Sequence, residues 1–325
     1  MLNHPPTWSL ILAGGDGSRL RSLTTTSGGQ CVPKQYCSLL GGASLIHETI
    51  RRALAISSPA HVCAVVAEQH RQWWQQALWP IAESNIIVQP QNKGTANGIL
   101  FPLLHILDCD PEAKVVLLPS DHHLENELAL RESILSALNS IRVYPDDIML
   151  LGIEPEEADT ELGYIVPDTQ TRLRPRPVSH FVEKPDSETA QRLINAGALW
   201  NSFIMVARAK TLLQLFVDKH QSAVLRMQIA LLRQPNDKMS VANLYATLRE
   251  VDFSRHILQG LERRLRVVQV GKCGWSDLGT PKNVLKTLHK TPREQWGNTH
   301  HAHLNIALQH ERQERDGRKM AEVAG

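Results

Sequence analysis

At 325 residues, 42% hydrophobic and 21% charged, the chain has the make-up of an ordinary globular protein, long enough for one large α/β domain or two smaller ones. A net charge of only +2 argues against nucleic acid as a partner, and no apolar run approaches the roughly 20 residues of a membrane-spanning helix. Cysteines at 31, 37, 63, 109 and 273 are odd in number, scattered and without a CxxC pair, and the opening residues lack a signal-peptide pattern; both favour reduced thiols in a cytoplasm.

The first element is the apolar run Trp8–Leu12, which reads as a short buried strand. It breaks into Gly14-Gly15-Asp16-Gly17-Ser18-Arg19, where glycines let the backbone turn tightly and approach a ligand. Such a turn after a strand aims several N–H groups one way, which suits a phosphate. Arg19 and Lys34 add two cations, so the segment reads as a grip for a nucleoside triphosphate. It is not a P-loop, because no Lys-Ser or Lys-Thr follows the glycines. It is not a dinucleotide fingerprint either, because Leu20 stands where GxGxxG needs its last glycine.

The whole stretch, GGDGSRLRSLT followed by PKQ, resembles the signature of the sugar-1-phosphate nucleotidyltransferases. Gly14, Gly15, Gly17, Arg19, Leu20, Leu23, Thr24, Pro33, Lys34 and Gln35 carry the match, and the PKQ ending is most like the mannose-1-phosphate guanylyltransferase branch. The resemblance implies nucleotide contacts from Leu12, Ala13, Gly14, Gly15, Gly17 and Ser18.

Further along, Ser44–Ile56 has the apolar spacing of an amphipathic helix, on which His47 reads as a surface or packing residue. His61–Ala67 reads as a strand and Gln69–Leu78 as a helix, with Trp73, Trp74 and Trp79 expected on a packed face. A short strand, Ile86–Gln89, leads through a glycine-bearing loop to a helix from about Ala96 to Leu107. The resembling family has EPxGRNTAPAI here, contacting base and ribose, which points to Gln89, Gly94 and Thr95. Gln89 stands where the guanylyl branch has Glu. A carboxylate accepts from both guanine N–H groups, whereas an amide offers one acceptor and one donor, so the base stays open.

Asp108-Cys109-Asp110 fits a DxD metal pattern but reads more simply as a solvated helix end beside Pro111. The buried strand Lys114–Pro119 delivers Ser120-Asp121-His122-His123 at its C-terminal end, where ligands gather in open α/β sheets. Asp121 is a hard oxygen donor suited to Mg²⁺, and the stretch resembles the family's PADH metal element. Glu125–Val143 reads as a long helix and Asp147–Ile153 as a strand. Asp159–Ile165 aligns with ETGYGYI, which puts Gly163 at the family's sugar contact and Glu161 in place of a glycine.

The strand Val178–Val182 runs into Glu183-Lys184-Pro185, matching the hallmark FVEKP, with Glu183 implied on sugar hydroxyls and Lys184 on the sugar phosphate. Neighbouring strand residues point to opposite faces, so both reach one ligand only if the chain bends there. Trp200-Asn201-Ser202 resembles WNSG and implies a sugar hydrogen bond from Asn201. Ala209–Leu248 reads as helical, expected to cover the sugar side of the cleft, and Arg264–Val270 as a strand. Trp275-Ser276-Asp277-Leu278-Gly279-Thr280 keeps the family's WxDxGT, making Asp277 the second implied metal carboxylate, and Pro281–Leu288 opens a helix. Residues 291–325 read as a polar tail beyond a domain at 1–290, with His300, His301 and His303 more simply solvated than metal-bound.

The implied fold is α/β: a Rossmann-like three-layer sandwich around a mixed, largely parallel sheet, of the nucleotide-diphospho-sugar transferase type. The implied reaction joins a nucleoside triphosphate to a sugar 1-phosphate, releasing pyrophosphate. GTP and mannose 1-phosphate lead, which would make GDP-mannose, with Mg²⁺ as cofactor and room for a homodimer. Arg19, Lys34 and Lys184 would do the catalytic work. Two other readings stay open: a non-catalytic homologue that binds sugar nucleotides, and an enzyme using UTP or dTTP with another hexose 1-phosphate.

Overall fold

A computed structural model describes residues 5–26, 28–233 and 238–290. The expected tail at 291–325, with its three histidines, lies outside the described residues.

The first half alternates strands and helices. β1 (Thr7–Ala13), β2 (Val62–Ala67), β3 (Ile86–Gln89) and β4 (Lys114–Pro119) pair in parallel in the order β3-β2-β1-β4. Parallel strands need long crossovers, so both sheet faces become covered and the strands read as nearly unbroken apolar runs. The alternation of β1 and β4 splits the core in two. Leu10, Val115 and Leu117 pack on one face, where α4 (Gly94–Cys109), α7 (Ala209–Arg233) and α8 (Lys238–Thr247) contribute. Ile11, Val116 and Leu118 pack on the other, against α2 (Leu45–Leu54), α3 (Arg71–Ala77) and α5 (Glu127–Val143).

The second half is built differently. β5 (Ile148–Ile153), β6 (Gly163–Pro167), β7 (Arg176–Glu183), β8 (Leu199–Arg208) and β9 (Leu265–Gln269) follow in the order β8-β5-β9-β7-β6, and β6 pairs back onto β8. Five strands therefore close into a ring, joined to the open half through the antiparallel β4–β8 pairing. Among the described residues four of the strand pairings are parallel and five antiparallel. The sheet is thus mixed, as expected, but not largely parallel: only β5–β9 continues the parallel pattern beyond β4. β6 and α6 (Ser187–Asn195) were not expected from the sequence. β6 is short and mostly buried, so it shows no alternation, and it follows directly on a loop motif.

Two further expectations change. Of the three tryptophans, Trp74 is buried, donating its Nε1–H to the Ala67 carbonyl (2.9 Å), while Trp79 lies beyond α3 and is 82% exposed. The helical segment from Ala209 packs against α4 and also against β8, so α7 and α8 back strands of both halves in one apolar cluster and not the expected sugar side alone. A third apolar cluster joins Leu20 and Leu23, from the turn after the glycines and α1 (Arg21–Thr24), to Leu278, Val284, Leu285 and Leu288. It fastens α9 (Pro281–Lys290) to the glycine loop.

Candidate active site

The parallel strands all end on one edge, and the glycine loop springs from it at Ala13. Leu12 and Ala13 close β1, and their carbonyls are taken: Ser120 donates to Leu12 and the Gln35 amide to Ala13 (3.0 Å). The same Gln35 amide reaches the Gly15 carbonyl (2.9 Å), so the last residue of the PKQ motif ties the loop down. Gly17 takes φ +59° with the Lys34 backbone against it; a Cβ there would lie 2.9 Å from the Lys34 nitrogen. Glycine is needed at this position on both counts. Ser18 opens the single turn that carries Arg19.

Lys34 is almost fully buried (4% exposed). Its ammonium donates to Asp121 Oδ2 (3.1 Å) and to the main-chain carbonyl of Asp277. Desolvation at this crowded strand end pushes the Asp121 carboxyl up, but Lys34 and His122 outweigh it and hold it below its usual range. His122 is kept neutral, chiefly by burial, with its pKa pushed down to about 4. Its Nδ1 accepts from Trp275 Nε1 (3.3 Å). A two-residue bridge, His123 with Ser276, lays the two acidic segments side by side. Asp277 is buried and its Oδ1 accepts from Asn283 on α9 (3.0 Å). A Cβ on Gly279 would fall 2.1 Å from Asp277 Oδ2 and 3.4 Å from Arg19 Nη2. The glycine of WxDxGT thus leaves room for Asp277, with Arg19 beside it. Arg19, Lys34, Asp121 and Asp277, far apart in sequence, meet at one strand edge.

Gln89 is buried at the end of β3, packed against Gly14 and Gly98, and its Oε1 accepts from the Tyr245 hydroxyl (3.3 Å). Gly94 takes φ +82°, and Val251 lies where any side chain would go. Thr95 Oγ1 accepts from the Phe253 N–H (2.8 Å), so its hydroxyl holds the 251–253 segment.

The residues expected on the sugar side form a second group. Gly163 pairs with Glu183 across β6–β7. A Cβ on Gly163 would lie 2.6 Å from Glu183 Oε2 and 3.3 Å from the Asn201 Cβ. Burial, together with nearby Asp252, pushes the Glu183 carboxyl up to about 7. Asn201 Oδ1 accepts from the Phe203 N–H (3.1 Å). The bend that FVEKP needs comes from Lys184 itself, at φ +49°, and not from Pro185. Phe203 (φ +58°) and Leu278 (φ +46°) are left-handed too, so all three such residues among those described border the site. Backbone strain of this kind persists where surrounding contacts over-determine it. Phe203 is held by a ring contact with Phe253 (6.1 Å).

The two groups touch through one ion pair, Arg19 Nη1 to Glu161 Oε2 (2.7 Å), and through the 251–254 segment, which reaches both Thr95 and Glu183. Asp110 instead accepts from Trp8 Nε1 (3.0 Å), at the opposite end of the sheet, which removes the DxD pattern from the site. His47 is exposed and pairs with Ser44. Sequence reading missed Asn283, Tyr245 and the loop-tying role of Gln35. Only Gln35 carried a signal, as part of PKQ.

Among the described residues no group of three or more His, Cys, Asp or Glu side chains is arranged to cage a metal. Two carboxylates brought together on one buried lysine, Asp121 by its Oδ2 and Asp277 by its carbonyl, are nonetheless a donor set of the kind Mg²⁺ takes when phosphates and waters complete its shell, so the chemistry of Asp121 and Asp277 fits that ion.

A family model described as nucleotidyl transferase matches residues 8–294. The chain belongs to the nucleotidyl transferase family. Among its relatives, mannose-1-phosphate guanylyltransferase ManC of Salmonella typhimurium is 30% identical over 326 residues, covering 93% of this chain and 63% of that one. Alginate biosynthesis protein AlgA of Pseudomonas aeruginosa is 28% identical, covering 85% and 57%. The chain therefore spans about three fifths of the length of the curated relatives it matches. In structure it resembles a protein described as a mannose-1-phosphate geranyltransferase from Thermus thermophilus (TM-score 0.74, 24% identity, 88% of this chain and 80% of that one). It also resembles the inositol-1-phosphate CTP transferase from T. maritima (TM-score 0.53, 16% identity, 88% and 96%). These likenesses show the nucleotide-diphospho-sugar transferase fold, α/β with a mixed sheet.

Proposed function

We propose that this chain transfers a nucleotidyl group from a nucleoside triphosphate to a sugar 1-phosphate, with GTP and mannose 1-phosphate as the leading pair. The observation that carries the reading is the meeting of Arg19, Lys34, Asp121 and Asp277 at the strand edge that holds the glycine loop. The open half of the molecule serves as a Rossmann-like three-layer nucleotide platform, and the ring of strands as the sugar side.

The sugar phosphate is already a nucleophile, so the reaction needs no activated Ser, Cys or His. What opposes it is repulsion between two polyanions and charge building on the α-phosphate. Catalysis is then positioning plus electrostatics. Lys34, desolvated and fixed, faces the α-phosphate; Arg19, on the exposed rim, takes the leaving pyrophosphate. Lys184 orients the attacking phosphate while Glu183, Asn201 and the Gly163 backbone hold the sugar. Asp121 and Asp277 would hold Mg²⁺, which neutralises phosphate oxygens when bound. No helix among the described residues is long and apolar enough to cross a membrane, and all five cysteines are unpaired. We place the enzyme in the cytoplasm on that thiol pattern.

The test is a matrix of four nucleoside triphosphates against several sugar 1-phosphates, scored by pyrophosphate release. Release that requires both substrates is expected. No release with any pair would refute the proposal. A second reading, UTP or dTTP as donor, is favoured by Gln89: Tyr245 occupies its carbonyl and leaves its amide N–H₂ toward Gly14. A donor there meets the N–H groups of guanine poorly and a pyrimidine carbonyl well. GTP performing no better than UTP would select this second reading.

A further inference from the structure

Arg19 does not wait free. Its guanidinium is paired with Glu161, and both side chains are about half exposed. We propose that Glu161 is a resident counter-ion of Arg19, which the triphosphate displaces on entry and which reclaims the arginine as pyrophosphate departs. This rests on the reading of Arg19 as the pyrophosphate grip.

The two partners are held unequally. The Glu161 N–H donates to Asp159 Oδ1 (2.8 Å). The Asp159 backbone is bonded at both its N–H and its carbonyl to the hydroxyl of the fully buried Tyr164 (2.9 and 3.0 Å). The preceding residues are bolted to α9. Lys282 and Lys286 reach Glu157 (3.3 and 3.0 Å), and Lys286 and Lys290 reach Glu156 (3.0 and 2.9 Å). Glu161 therefore sits on a braced loop. Arg19 sits on a single turn behind the left-handed Gly17, and its long side chain, half exposed, is paired with Glu161 at its tip. When polyphosphate competes for the guanidinium, the arginine moves and the carboxylate stays.

The consequence is reciprocal. Wild type binds triphosphate and pyrophosphate less tightly than Arg19 alone would allow, because the ion pair must open and a fixed negative charge remains nearby. In exchange, pyrophosphate leaves faster. The contact also joins the nucleotide grip to the loop that leads into Gly163 at the start of β6, so filling the first releases a constraint on the sugar side.

The experiment measures inorganic pyrophosphate binding by calorimetry, without metal, to wild type, Glu161→Gln, Arg19→Ala and the double variant. Exposed ion pairs are weak, so Glu161→Gln should bind roughly twofold to fivefold tighter than wild type. Its thermal melting should not change. In the Arg19→Ala background the gain should vanish. Unchanged or weaker binding by Glu161→Gln, or a gain that persists without Arg19, would overturn the counter-ion proposal while leaving the grip intact. An Arg19→Ala protein that binds pyrophosphate as wild type does would sink the grip reading, and this proposal with it.

Discussion

The nucleotide half and the sugar half solve the same problem, bringing polar side chains to one place, by different means. In the nucleotide half the parallel strands do it. Their ends share an edge, and the left-handed turns at Gly17 and Gly94 fall to glycine, at no steric cost. In the sugar half a ring of mostly antiparallel strands brings Gly163, Glu183 and Asn201 together, and the left-handed positions are held by Lys184 and Phe203. Non-glycine residues in that conformation cost on the order of 1–3 kcal/mol each. The glycine turns of the nucleotide side are thus relaxed, with strain at one cradle position, Leu278 beside Asp277, whereas the sugar side stores it at both Lys184 and Phe203, against packing such as Phe203 on Phe253.

If the cradle is where charge is stabilised, the largest effects belong there. Lys34→Ala or Asp277→Ala should lower kcat by roughly 10²–10³, the loss that follows removal of one preorganised charge. The fold should survive Lys34→Ala, because Asp121, its lost partner, is 41% exposed in its side chain and can be hydrated. Steady-state pyrophosphate release together with circular dichroism separates the two effects. Turnover near that of wild type would remove Lys34 from the chemistry and break the contrast between the halves.

The contrast also explains what was legible in the sequence. Motifs in the nucleotide half sit on long-range apolar periodicity, so the apolar runs alone place GGDGSR, Gln89 and Asp121 at strand ends. Glu183, Gly163 and Asn201 were found only through short family-like words. The strand that aligns Gly163 with Glu183, β6, has five mostly buried residues and no alternation to read. Asn283 was invisible because nothing local marks a surface-helix asparagine as the partner of a carboxylate six residues earlier. The Arg19–Glu161 pair spans 142 residues, and no local pattern announces it.

A second test concerns the cost of the sugar side. Glu183 has its pKa raised to about 7, chiefly by burial, so the folded state binds a proton more tightly than the unfolded chain. Below the ordinary carboxylate range both states are protonated and nothing is lost. As pH climbs toward 7 the unfolded state ionises first, and stability falls by at most about 3 kcal/mol. Above pH 7 the full cost is present. Glu183→Gln removes this dependence. Urea unfolding at pH 5 and pH 8 should show the variant gaining on wild type by at least about 1 kcal/mol at the higher pH. A difference that stays flat with pH would show that the carboxyl is adequately solvated and that the sugar side is less strained than its geometry indicates.

The smallest effect sharpens the boundary of the nucleotide half. Gln89 is 3% exposed, and one face of its amide is already committed to Tyr245. Glu at that position would still accept from the tyrosine hydroxyl and would present a second oxygen where the amide now presents N–H₂. Guanine offers two N–H groups on its pairing edge, while uracil offers one between two carbonyls. Gln89→Glu should therefore move the kcat/KM ratio of GTP to UTP toward GTP by roughly tenfold, the scale of one well-placed hydrogen bond. Burial of the new carboxylate should lower the melting temperature at the same time, which separates a folding cost from a change of preference, since only the latter alters a ratio between substrates. An unmoved ratio would mean that the base does not meet Gln89, and that the amide, like the Thr95 hydroxyl, is there to hold the segment around Tyr245 and Phe253 against the loop.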